Sequence, residues 1–511
     1  MSVVTPEGAA TQAIGSGTVA PPRSRTLHDL VRDLPEAELR GGADVLVSSL
    51  CYRSDDARPG ALFFCVPGSA SDGHAFAGDA VARGSSAIVV DRWLELDVSQ
   101  VRVPDVRGAM GPISAAFYGR PADGMTVVGV TGTNGKTTTT YLLEAILRAD
   151  GRIPGVIGTT GVRVDGRPEP FPRTTPEAPD LHRLVATMAD EGVTAIAMEV
   201  SSHGLHQHRV DGIRYSVAVF TNLTQDHLDY HPSMREYFLA KSRLFTPAMS
   251  DRAVVNLDDR WGRDLVGSGL PTITYGLASD SDVRATDVES TVEGISFLAD
   301  GVPIRSALRG SFNVENALAA FAAARSLGIE DITAAEAISS VRVVPGRVES
   351  VEVGQGFLVL VDYAHTPDSV ENVLRAARSL TGGRLIVVLG AGGDRDRVKR
   401  PLMGRAATAT ADLAVITSDN PRSEDPLEII AEIMPGAEQG GGRFVVEPDR
   451  RAAIRLAMEE ASPGDVVVIA GKGHEAYQEL ADRTIPFDDR AVAEDELRSI
   501  GKATRPLGAT R

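Results

Sequence analysis

At 511 residues the chain is long enough for about three domains. Its composition of 43% apolar, 24% charged and 5% aromatic residues is that of an ordinary globular protein. The formal net charge of −17 excludes the broad basic face that a nucleic-acid partner requires, although an acidic protein can still bind an anionic substrate by grouping Lys, Arg and backbone N–H groups locally.

The N-terminal segment and the cysteines indicate where the protein works. Residues 1–25 contain no basic segment followed by an apolar one, so we predict no secretory signal, and their Gly, Ala, Ser and Pro content predicts a disordered leader. No apolar run approaches the roughly 18 residues of a membrane span. Cys51 and Cys65 form no disulfide or metal-binding spacing and are predicted to be small buried residues. We therefore expect a cytoplasmic protein with no membrane partner.

Three α/β segments follow the leader. Residues 26–121 mix short strands and helices. The stretch "YGRPADGM" separates them from residues 122–345, where apolar runs such as "TVVGVTG" and "TAIAMEV" predict a mostly parallel sheet covered by helices. "SFNVENALAAFAAARSLGI" is predicted to be helical. A second break, "VRVVPGRVES", introduces a third domain at residues 346–498, and residues 499–511 are predicted to be a tail.

The third segment contains four apolar strands that each run into polar, Gly- or Pro-bearing residues. They are "FLVLVDYAH", "RLIVVLGAGG", "LAVITSDNP" and "DVVVIAGKGH". In open α/β sheets, ligands bind beyond the carboxyl ends of the strands. All four strand ends therefore carry candidate binding residues.

The second segment contains a candidate phosphate loop, "GVTGTNGKTTTTYLLEAI", at residues 129–146. An apolar strand enters it, glycines permit a close backbone approach, and a helix follows, which is the arrangement that binds phosphate groups. The usual P-loop would have its first glycine at Val130, whereas here glycines stand at Gly129 and Gly132. Lys136 is predicted to meet the β- and γ-phosphates, and Thr137 to offer its hydroxyl to Mg²⁺.

Further motifs occur in a fixed order along the chain. They are "MEVSSHGLHQHRV", "FTNLTQDHLDYH", "LAKSRLF", "GSFNVENALAA", "VDYAHTP", "GGDRDRVKRPLMG", "DNPRSEDP" and "AGKGHEAYQ". Together with the loop, this series resembles the Mur ligase family, whose own nucleotide loop has the same narrow glycine spacing. The resemblance implies three α/β domains: an N-terminal uridine-nucleotide-binding domain, a central P-loop ATPase-like domain with a mostly parallel sheet, and a C-terminal Rossmann-like domain that binds an amino acid.

The resemblance also implies an activity. It is the ATP-dependent addition of meso-diaminopimelate to the γ-carboxylate of D-Glu in UDP-N-acetylmuramoyl-L-Ala-D-Glu, through an acyl phosphate, as a cytoplasmic step of peptidoglycan synthesis. The expected partners are these three substrates, with no nucleic acid and no membrane, and we expect a monomer. The expected cofactors are ATP, Mg²⁺ and a carbamate formed from CO₂ on Lys241.

The nucleotide and metal sites are carried over from the family residue by residue. An unmodified ammonium at Lys241 would repel Mg²⁺, whereas the carbamate that the family carries there is an anionic oxygen donor. The predicted catalytic residues are Lys136, Glu199, His227 and Lys241, and the predicted metal ligands are Thr137, Glu199, His227 and Lys241 as its carbamate. The predicted ATP-binding residues are Gly132, Thr133, Asn134, Gly135, Lys136, Thr137, Thr138, Asn313, Arg347, Asp362 and His365.

The two remaining substrates are also assigned residues by the resemblance. Arg422 in "DNPR" is expected to select diaminopimelate, because a guanidinium pairs with the second carboxylate that lysine lacks. Ser54 departs most from the family pattern, since Arg53 and Asp55 flank it. The predicted UDP-muramoyl-dipeptide-binding residues are Ser54, Thr174, Thr175, Ser201, Gln207 and Arg209. The predicted diaminopimelate-binding residues are Arg395, Asp419, Asn420, Pro421, Arg422, Gly471 and Glu475.

Three alternatives stay open. The same ligase reaction with lysine, ornithine or another diamino acid is the nearest one. A generic P-loop phosphotransferase would need only the loop, Mg²⁺ and a nucleophile, and would leave "DNPR" and "AGKGHE" without a role. A nucleotide-binding scaffold without catalysis is disfavoured because the predicted catalytic residues are all present.

Overall fold

The computed structural model describes residues 24–68, 71–169, 171 and 173–501. The leader predicted at residues 1–25 lies outside the described residues except for its last two, and so do residues 502–511 of the predicted tail. Three α/β sheets follow one another along the described chain, as predicted.

The first sheet has five strands in the order β2-β7-β6-β5-β4, of which only β2 is antiparallel to its neighbour. Its central strands β5 and β6 are buried throughout, as continuous apolar runs predict for a parallel sheet with both faces covered. A separate two-stranded ribbon pairs β1 with β3. The elements are β1 (Arg25–Thr26), α1 (Leu27–Val31), β2 (Glu38–Arg40), β3 (Leu46–Val47), β4 (Ser49–Cys51), β5 (Ala61–Phe64), α2 (Ala77–Ala82), β6 (Ala87–Val90), β7 (Ser99–Arg102) and α3 (Val106–Tyr118).

The second sheet has eleven strands in the order β11-β10-β9-β12-β8-β13-β14-β15-β16-β17-β18. From β9 to β16 the neighbouring strands are parallel, and at each edge an antiparallel hairpin extends the sheet. The strands are β8 (Thr126–Thr131), β9 (Pro154–Gly158), β10 (Gly161–Val164), β11 (Arg167–Glu169), β12 (Ala195–Glu199), β13 (Val217–Phe220), β14 (Ala253–Asn256), β15 (Thr272–Gly276), β16 (Val283–Thr291), β17 (Gly294–Ala299) and β18 (Val302–Ser306).

Helices cover both faces of this sheet. The Ala-rich segment predicted to be helical is α9, and its alanines are buried in a core shared with α4 and α10. Small side chains let this helix lie close to the sheet, which is why its composition is so rich in alanine. The helices are α4 (Lys136–Ala149), α5 (Ala178–Asp190), α6 (Ser202–His206), α7 (Met234–Ser242), α8 (Arg260–Leu265), α9 (Phe312–Ser326) and α10 (Asp331–Ser340).

The third sheet has six strands in the order β19-β20-β24-β21-β22-β23, all parallel except β19. The four strands predicted from apolar runs are its central β20, β21, β22 and β24. A short ribbon of β25 and β26 lies apart from the sheet. The elements are β19 (Glu349–Ser350), β20 (Leu358–Asp362), α11 (Pro367–Ser379), β21 (Leu385–Leu389), α12 (Lys399–Thr410), β22 (Leu413–Ile416), α13 (Pro426–Gly440), β23 (Arg443–Val446), α14 (Arg450–Glu460), β24 (Val466–Ala470), β25 (Tyr477–Glu479), β26 (Thr484–Pro486) and α15 (Asp489–Ser499).

The first and second α/β units are joined by polar contacts onto α5. The Tyr52 hydroxyl donates to Asp180 at 2.7 Å, and Arg107 pairs with Glu177 at 3.3 Å. Cys51 and Cys65 are buried free thiols, as predicted. Within the described parts of the chain, no helix has the length and apolar character needed to cross a lipid bilayer.

Candidate active site between the second and third sheets

The loop between β8 and α4 adopts a conformation that only glycine permits at two points. Gly132 has φ +151° and Gly135 has φ +87°. A Cβ at Gly132 would overlap the Thr221 hydroxyl, and a Cβ at Gly135 would overlap the Asn316 side chain. The glycines therefore serve both the turn and the close packing of the loop against β13 and α9.

The loop is held in place by the segment that follows β13. Asn222 accepts hydrogen bonds from the backbone N–H groups of Thr133, at 2.8 Å, and Asn134, at 2.9 Å. The Thr221 hydroxyl donates to the Asn134 carbonyl at 2.6 Å. The start of α4 has no side-chain cap, which suits a helix N-terminus that meets an anionic ligand.

Lys136 is the first residue of α4 and folds back over the loop. Its Nζ donates to the carbonyls of Gly132, at 3.0 Å, and Thr133, at 2.8 Å. Burial lowers the pKa of this ammonium, while Glu199 and Asp226 act in the opposite direction. A terminal phosphate placed above the loop would add negative charge next to this cation and favour its protonated form.

A cavity of about 390 Å³ opens above the loop, between the second and third sheets. Residues of both sheets line it, and two hydrogen bonds cross it. Arg347 donates to the Thr137 hydroxyl at 2.9 Å, and the Asn134 side chain donates to Asp368 at 2.9 Å. Of the predicted ATP-binding residues, the following line the cavity: Thr133, Asn134, Gly135, Lys136, Thr137, Thr138, Arg347, Asp362 and His365.

Two predicted nucleotide residues, Gly132 and Asn313, do not line the cavity. Asn313 is buried in the first turn of α9, where its amide donates to the Arg309 carbonyl at 2.7 Å and accepts from Asn316 at 2.9 Å. Its neighbour Phe312 and the partner Asn316 line the cavity instead. Asn313 thus orients Asn316 rather than facing the cavity itself.

Two predicted residues from the third α/β unit line the cavity and are held in place by hydrogen bonds. Asp362 ends β20, accepts from the Val348 N–H at 2.8 Å, and has its pKa raised by burial. His365 donates from Nδ1 to the Tyr363 carbonyl at 2.7 Å. Burial, helped by Lys399, lowers the pKa of His365 to about 4, so the imidazole is neutral near pH 7.

Three side chains offer donors suited to Mg²⁺. The buried Glu199 carboxylate accepts from the N–H and hydroxyl of Thr159, both at 2.9 Å, and lines the cavity with Thr137. Burial lowers the pKa of His227 to about 3, leaving the neutral imidazole that can bind a metal. Such oxygen and imidazole donors fit Mg²⁺, which retains water and phosphate ligands. Within the described residues, no group of three or more His, Cys, Asp or Glu side chains forms a complete cage.

Lys241 lies on α7 beneath the same loop. Its side chain is buried, its Nζ donates to the Gly132 carbonyl at 2.8 Å, and it lies 4.7 Å from the centre of the Tyr237 ring. Burial and the neighbouring Lys136 lower its pKa well below the ordinary value. A neutral amine is the form that reacts with CO₂, and an anionic carbamate would offset the charge of Lys136, so the residues present fit the expected modification.

The sequence analysis missed a charged pair beside His227. Asp226 is buried and lies 3.2 Å from Lys399 Nζ on α12, 3.3 Å from His227 Nε2 and 3.9 Å from His365 Nε2. Lys399 and His365 come from the third α/β unit and Asp226 from the second. Asp226 and Lys399 both lie inside motifs quoted above. Their place in those motifs is the sequence feature that could have identified them as site residues.

Predicted substrate residues lie at the carboxyl end of β12. Thr175 donates to the Glu199 carbonyl and accepts from the Ser201 N–H, both at 3.1 Å. The Ser201 hydroxyl accepts from the Gly204 N–H at 3.0 Å and caps α6. The Thr174 hydroxyl lies 3.1 Å from that of Thr159.

Arg209 and Gln207 complete this group. Arg209 donates to the Gln207 side chain at 2.6 Å and to the Thr175 carbonyl at 3.1 Å, and it pairs with Glu177. The structure therefore brings together five of the six residues predicted for the muramoyl substrate. Ser54 lies in the first α/β unit, where it begins a short 3₁₀ turn at Ser54–Asp56.

The predicted amino-acid residues lie at the carboxyl ends of β21, β22 and β24. Arg422 has φ +53° and donates from Nε to Glu479, at 3.0 Å, and from Nη1 to the Gly393 carbonyl, at 2.7 Å. These two bonds orient the guanidinium, and among the described residues no hydrogen bond involves its Nη2. Arg395 is exposed nearby and donates to the Asp394 carbonyl at 2.8 Å.

A buried polar network lies behind Arg422. The Asn420 amide donates to Glu475 at 2.7 Å and accepts from Lys472 Nζ at 3.1 Å. Burial raises the pKa of Glu475. Asp419, Pro421 and Gly471 are also buried at these strand ends. Lys472 and Glu479, which the sequence analysis did not select, therefore fix the orientation of predicted residues.

Two family profiles and several known proteins match this chain. The profile of the Mur ligase middle domain matches residues 130–324, and that of the Mur ligase, glutamate ligase domain matches residues 346–473. The chain is 49% identical over 482 residues to the UDP-N-acetylmuramoyl-L-alanyl-D-glutamate–2,6-diaminopimelate ligase of Geobacillus thermodenitrificans, covering 91% of this chain and 98% of the relative. It is 45% identical to the ligase of that name in Streptomyces avermitilis, over 91% and 96% of the two chains.

Solved structures give the same likeness. A structure of a ligase with that name superposes with a TM-score of 0.67 at 32% identity, covering 94% of this chain and 99% of the other. The MurF ligase of Thermotoga maritima in complex with ADP superposes with a TM-score of 0.59 at 19% identity, covering 89% and 97%, and so shares the fold.

Proposed function

Because the chain belongs to the Mur ligase family, we propose that it joins meso-diaminopimelate to the γ-carboxylate of the D-Glu residue in UDP-N-acetylmuramoyl-L-Ala-D-Glu at the expense of ATP. One residue carries the structural argument. Thr159 contacts the substrate-side Thr174 hydroxyl at 3.1 Å and the metal-side Glu199 carboxylate at 2.9 Å, and its carbonyl accepts from His474 of the "AGKGHE" loop at 3.1 Å. Segments that carry residues of all three predicted subsites therefore contact a single residue, Thr159, which supports the proposal.

The chemistry follows from the weakness of a carboxylate as an acyl donor. Transfer of the γ-phosphoryl group of ATP to the substrate carboxylate gives an acyl phosphate, whose phosphate is then displaced by the amine of the amino acid. Lys136 and Arg347 lie where they can bind the phosphates during both steps, because both cations line the cavity above the loop. Bound Mg²⁺, held by Thr137, Glu199, His227 and carbamylated Lys241, would neutralise charge on the transferring group.

Arg422 is proposed to choose the amino acid. Its guanidinium lies beyond the carboxyl end of β22, where it can offer a charged donor, and meso-diaminopimelate has a second carboxylate where lysine has none. A site built to pair a charged group rejects a ligand that lacks it. Because its substrates are nucleotides and nucleotide-linked sugars, we propose that the enzyme acts in the cytoplasm. We also propose that it acts as a monomer.

The proposal is tested by an amino-acid panel with purified enzyme, ATP and the UDP-muramoyl dipeptide, scored by product mass. Wild-type enzyme is expected to form the tripeptide with meso-diaminopimelate and far less with lysine or ornithine. In the Arg422→Ala variant, the KM for diaminopimelate is expected to rise about 30-fold, as expected for loss of about 2 kcal/mol of charge-assisted hydrogen bonding. The KM for ATP is expected to stay within twofold.

The matched control is Arg483→Ala, which removes an exposed arginine from the turn of the β25–β26 ribbon, the ribbon that contains the Arg422 partner Glu479. It is expected to behave as wild type. Preferred use of lysine or ornithine would establish the nearest alternative. ATP turnover with no peptide product from any amino acid would instead favour a phosphotransferase.

A further inference from the structure

Arg450 is the first residue of α14 and one of the largest fully buried side chains in the described chain. Its Nε and Nη2 donate to the Asp489 carboxylate at 2.8 and 2.7 Å. Its Nη1 also donates to the Ser418 carbonyl at 3.2 Å, and its Nη2 to the Ala470 carbonyl at 3.0 Å. One guanidinium therefore joins α15 to two loops of the third sheet.

The two carbonyls belong to strands that do not pair with each other. Ser418 follows β22 and Ala470 ends β24, and β21 lies between these strands in the sheet. The ladders that link them end at Leu389, which pairs with Ile416 on one side and Ala470 on the other. Ser418 already lies beyond its ladder, so Arg450 connects the two strand ends across the gap.

The next residue on each strand is a predicted amino-acid-binding residue. Asp419 follows Ser418 and Gly471 follows Ala470. Gly471 has φ +118°, and a Cβ there would overlap the Asp419 carboxylate. The two loops are therefore closely packed at Gly471 and Asp419, and a small change in the distance between the loops would displace both of these residues.

Asp489 makes this bridge specific for arginine. Both side chains are fully buried, and the carboxylate supplies the countercharge that a buried guanidinium needs. A forked guanidinium has donors in several directions and reaches one carboxylate and two carbonyls at once, whereas the single ammonium of lysine does not span them.

We propose that Arg450, held by Asp489, is a positioning residue for the amino-acid subsite, which fixes the separation of the strand ends that carry Asp419 and Gly471. The inference rests on the proposed function. Arg450 would act through Asp419 and Gly471. It does not line the nucleotide cavity and does not contact the residues predicted to bind the muramoyl substrate.

The test compares Arg450→Lys with Arg384→Lys. Arg384 bridges β21 and β24 at the opposite, amino-terminal end of the same sheet, where it bonds Asp465 at 3.2 Å. In Arg450→Lys, the KM for meso-diaminopimelate is expected to rise at least tenfold, while the KM values for ATP and the UDP-muramoyl dipeptide stay within twofold. Amide hydrogen exchange at residues 417–422 and 470–475 is expected to quicken at least tenfold. Arg384→Lys is expected to change neither quantity.

A folded Arg450→Lys enzyme with an unchanged KM for the amino acid would overturn the inference, and so would an equal change in all three KM values. Should this variant not fold, Asp489→Asn keeps the guanidinium and both carbonyl bonds and is expected to give a smaller rise in the same KM. Failure of wild-type enzyme to form any peptide product would refute the proposed function instead, and the exchange comparison would still decide whether Arg450 fixes the strand ends.

Discussion

Burial changes what a side chain can do chemically, and Lys241 shows this at the scale of one residue. Its amine donates a hydrogen bond to the Gly132 carbonyl, and in the described part of the chain no hydrogen bond joins it to a carboxylate. The lowered pKa follows from burial and from the nearby Lys136. A neutral amine next to oxygen donors for Mg²⁺ is a suitable nucleophile toward CO₂, which is the physical basis of the proposed carbamate.

Replacement of this amine tests that idea. Lys241→Ala is expected to lower kcat by about 10³-fold, because it removes a charged oxygen ligand at the transferring phosphoryl group. Added formate or acetate is expected to restore part of the rate by occupying the vacated space. Lys136→Ala is the matched control, since a carboxylate cannot replace a phosphate-binding cation and no rescue is expected. Full activity in Lys241→Ala would contradict the carbamate.

Residues were predictable from sequence where their chemistry is local. Lys136 and Thr137 follow a strand and a glycine turn within one short segment, so their placement at the cavity needed no tertiary information. Asp226 and Lys399 are 173 positions apart, and their pairing depends on how two α/β units meet. The orientation of Asn313 could not be predicted, because neither a motif nor helical periodicity shows that its amide bonds Arg309 and Asn316.

At the scale of elements, the loop between β8 and α4 depends on contacts with β13 as much as on its own sequence. Gly132→Ala would force a Cβ against the Thr221 hydroxyl and to about 3.0 Å from the Asn222 carbonyl, at a φ that favours glycine. We expect a loss of about 1–3 kcal/mol in the free energy of unfolding and at least a tenfold weaker affinity for ADP, measured by urea unfolding and calorimetry.

Gly124→Ala provides the control for this change. Gly124 precedes β8 in the same unit, and a Cβ there meets nothing within 4 Å. Its ADP affinity is expected to equal that of wild type. If Gly132→Ala bound ADP as tightly as Gly124→Ala, the close packing of the loop would not matter for the nucleotide.

The strands themselves were largely predictable, but their arrangement was not. Continuous apolar runs correctly predicted β8 and β12, and the parallel centre of the eleven-stranded sheet. The antiparallel edge at β16, β17 and β18 escaped prediction, because β16 and β18 carry exposed polar residues that give no strong pattern. Strand order is set by contacts between distant segments, which composition and periodicity do not encode.

At the scale of the whole molecule, the second and third α/β units meet through a small number of buried polar contacts. Lys399 and Asp226 form a buried ion pair between the two units. Arg347 and Asn134 add hydrogen bonds across the cavity. Because the predicted phosphate and amino-acid subsites lie on different units, these contacts determine whether the reacting groups meet.

Lys399→Met is expected to leave Asp226 buried without its cation, at a cost of about 3–5 kcal/mol to the closed arrangement. We expect kcat to fall at least tenfold while ADP affinity stays within threefold, because the loop itself is intact. Small-angle scattering with bound nucleotide is expected to show a larger radius of gyration. Arg397→Met is the control, since Arg397 is exposed and pairs with Glu432 inside its own unit. Unchanged kcat in Lys399→Met would assign the closure to other contacts.

The position of Asp489 at the start of the final helix has a consequence for biosynthesis. A ribosome releases the phosphate loop hundreds of residues before it releases α15, so a growing chain can complete its nucleotide cradle early. Until α15 emerges, Arg450 lacks the Asp489 carboxylate that accepts from its Nε and Nη2, although Asp419 lies 4.0 Å from its Nη1. We therefore expect translation that stops short of α15 to yield a polypeptide that retains the phosphate loop but in which the ends of β22 and β24 are less firmly held.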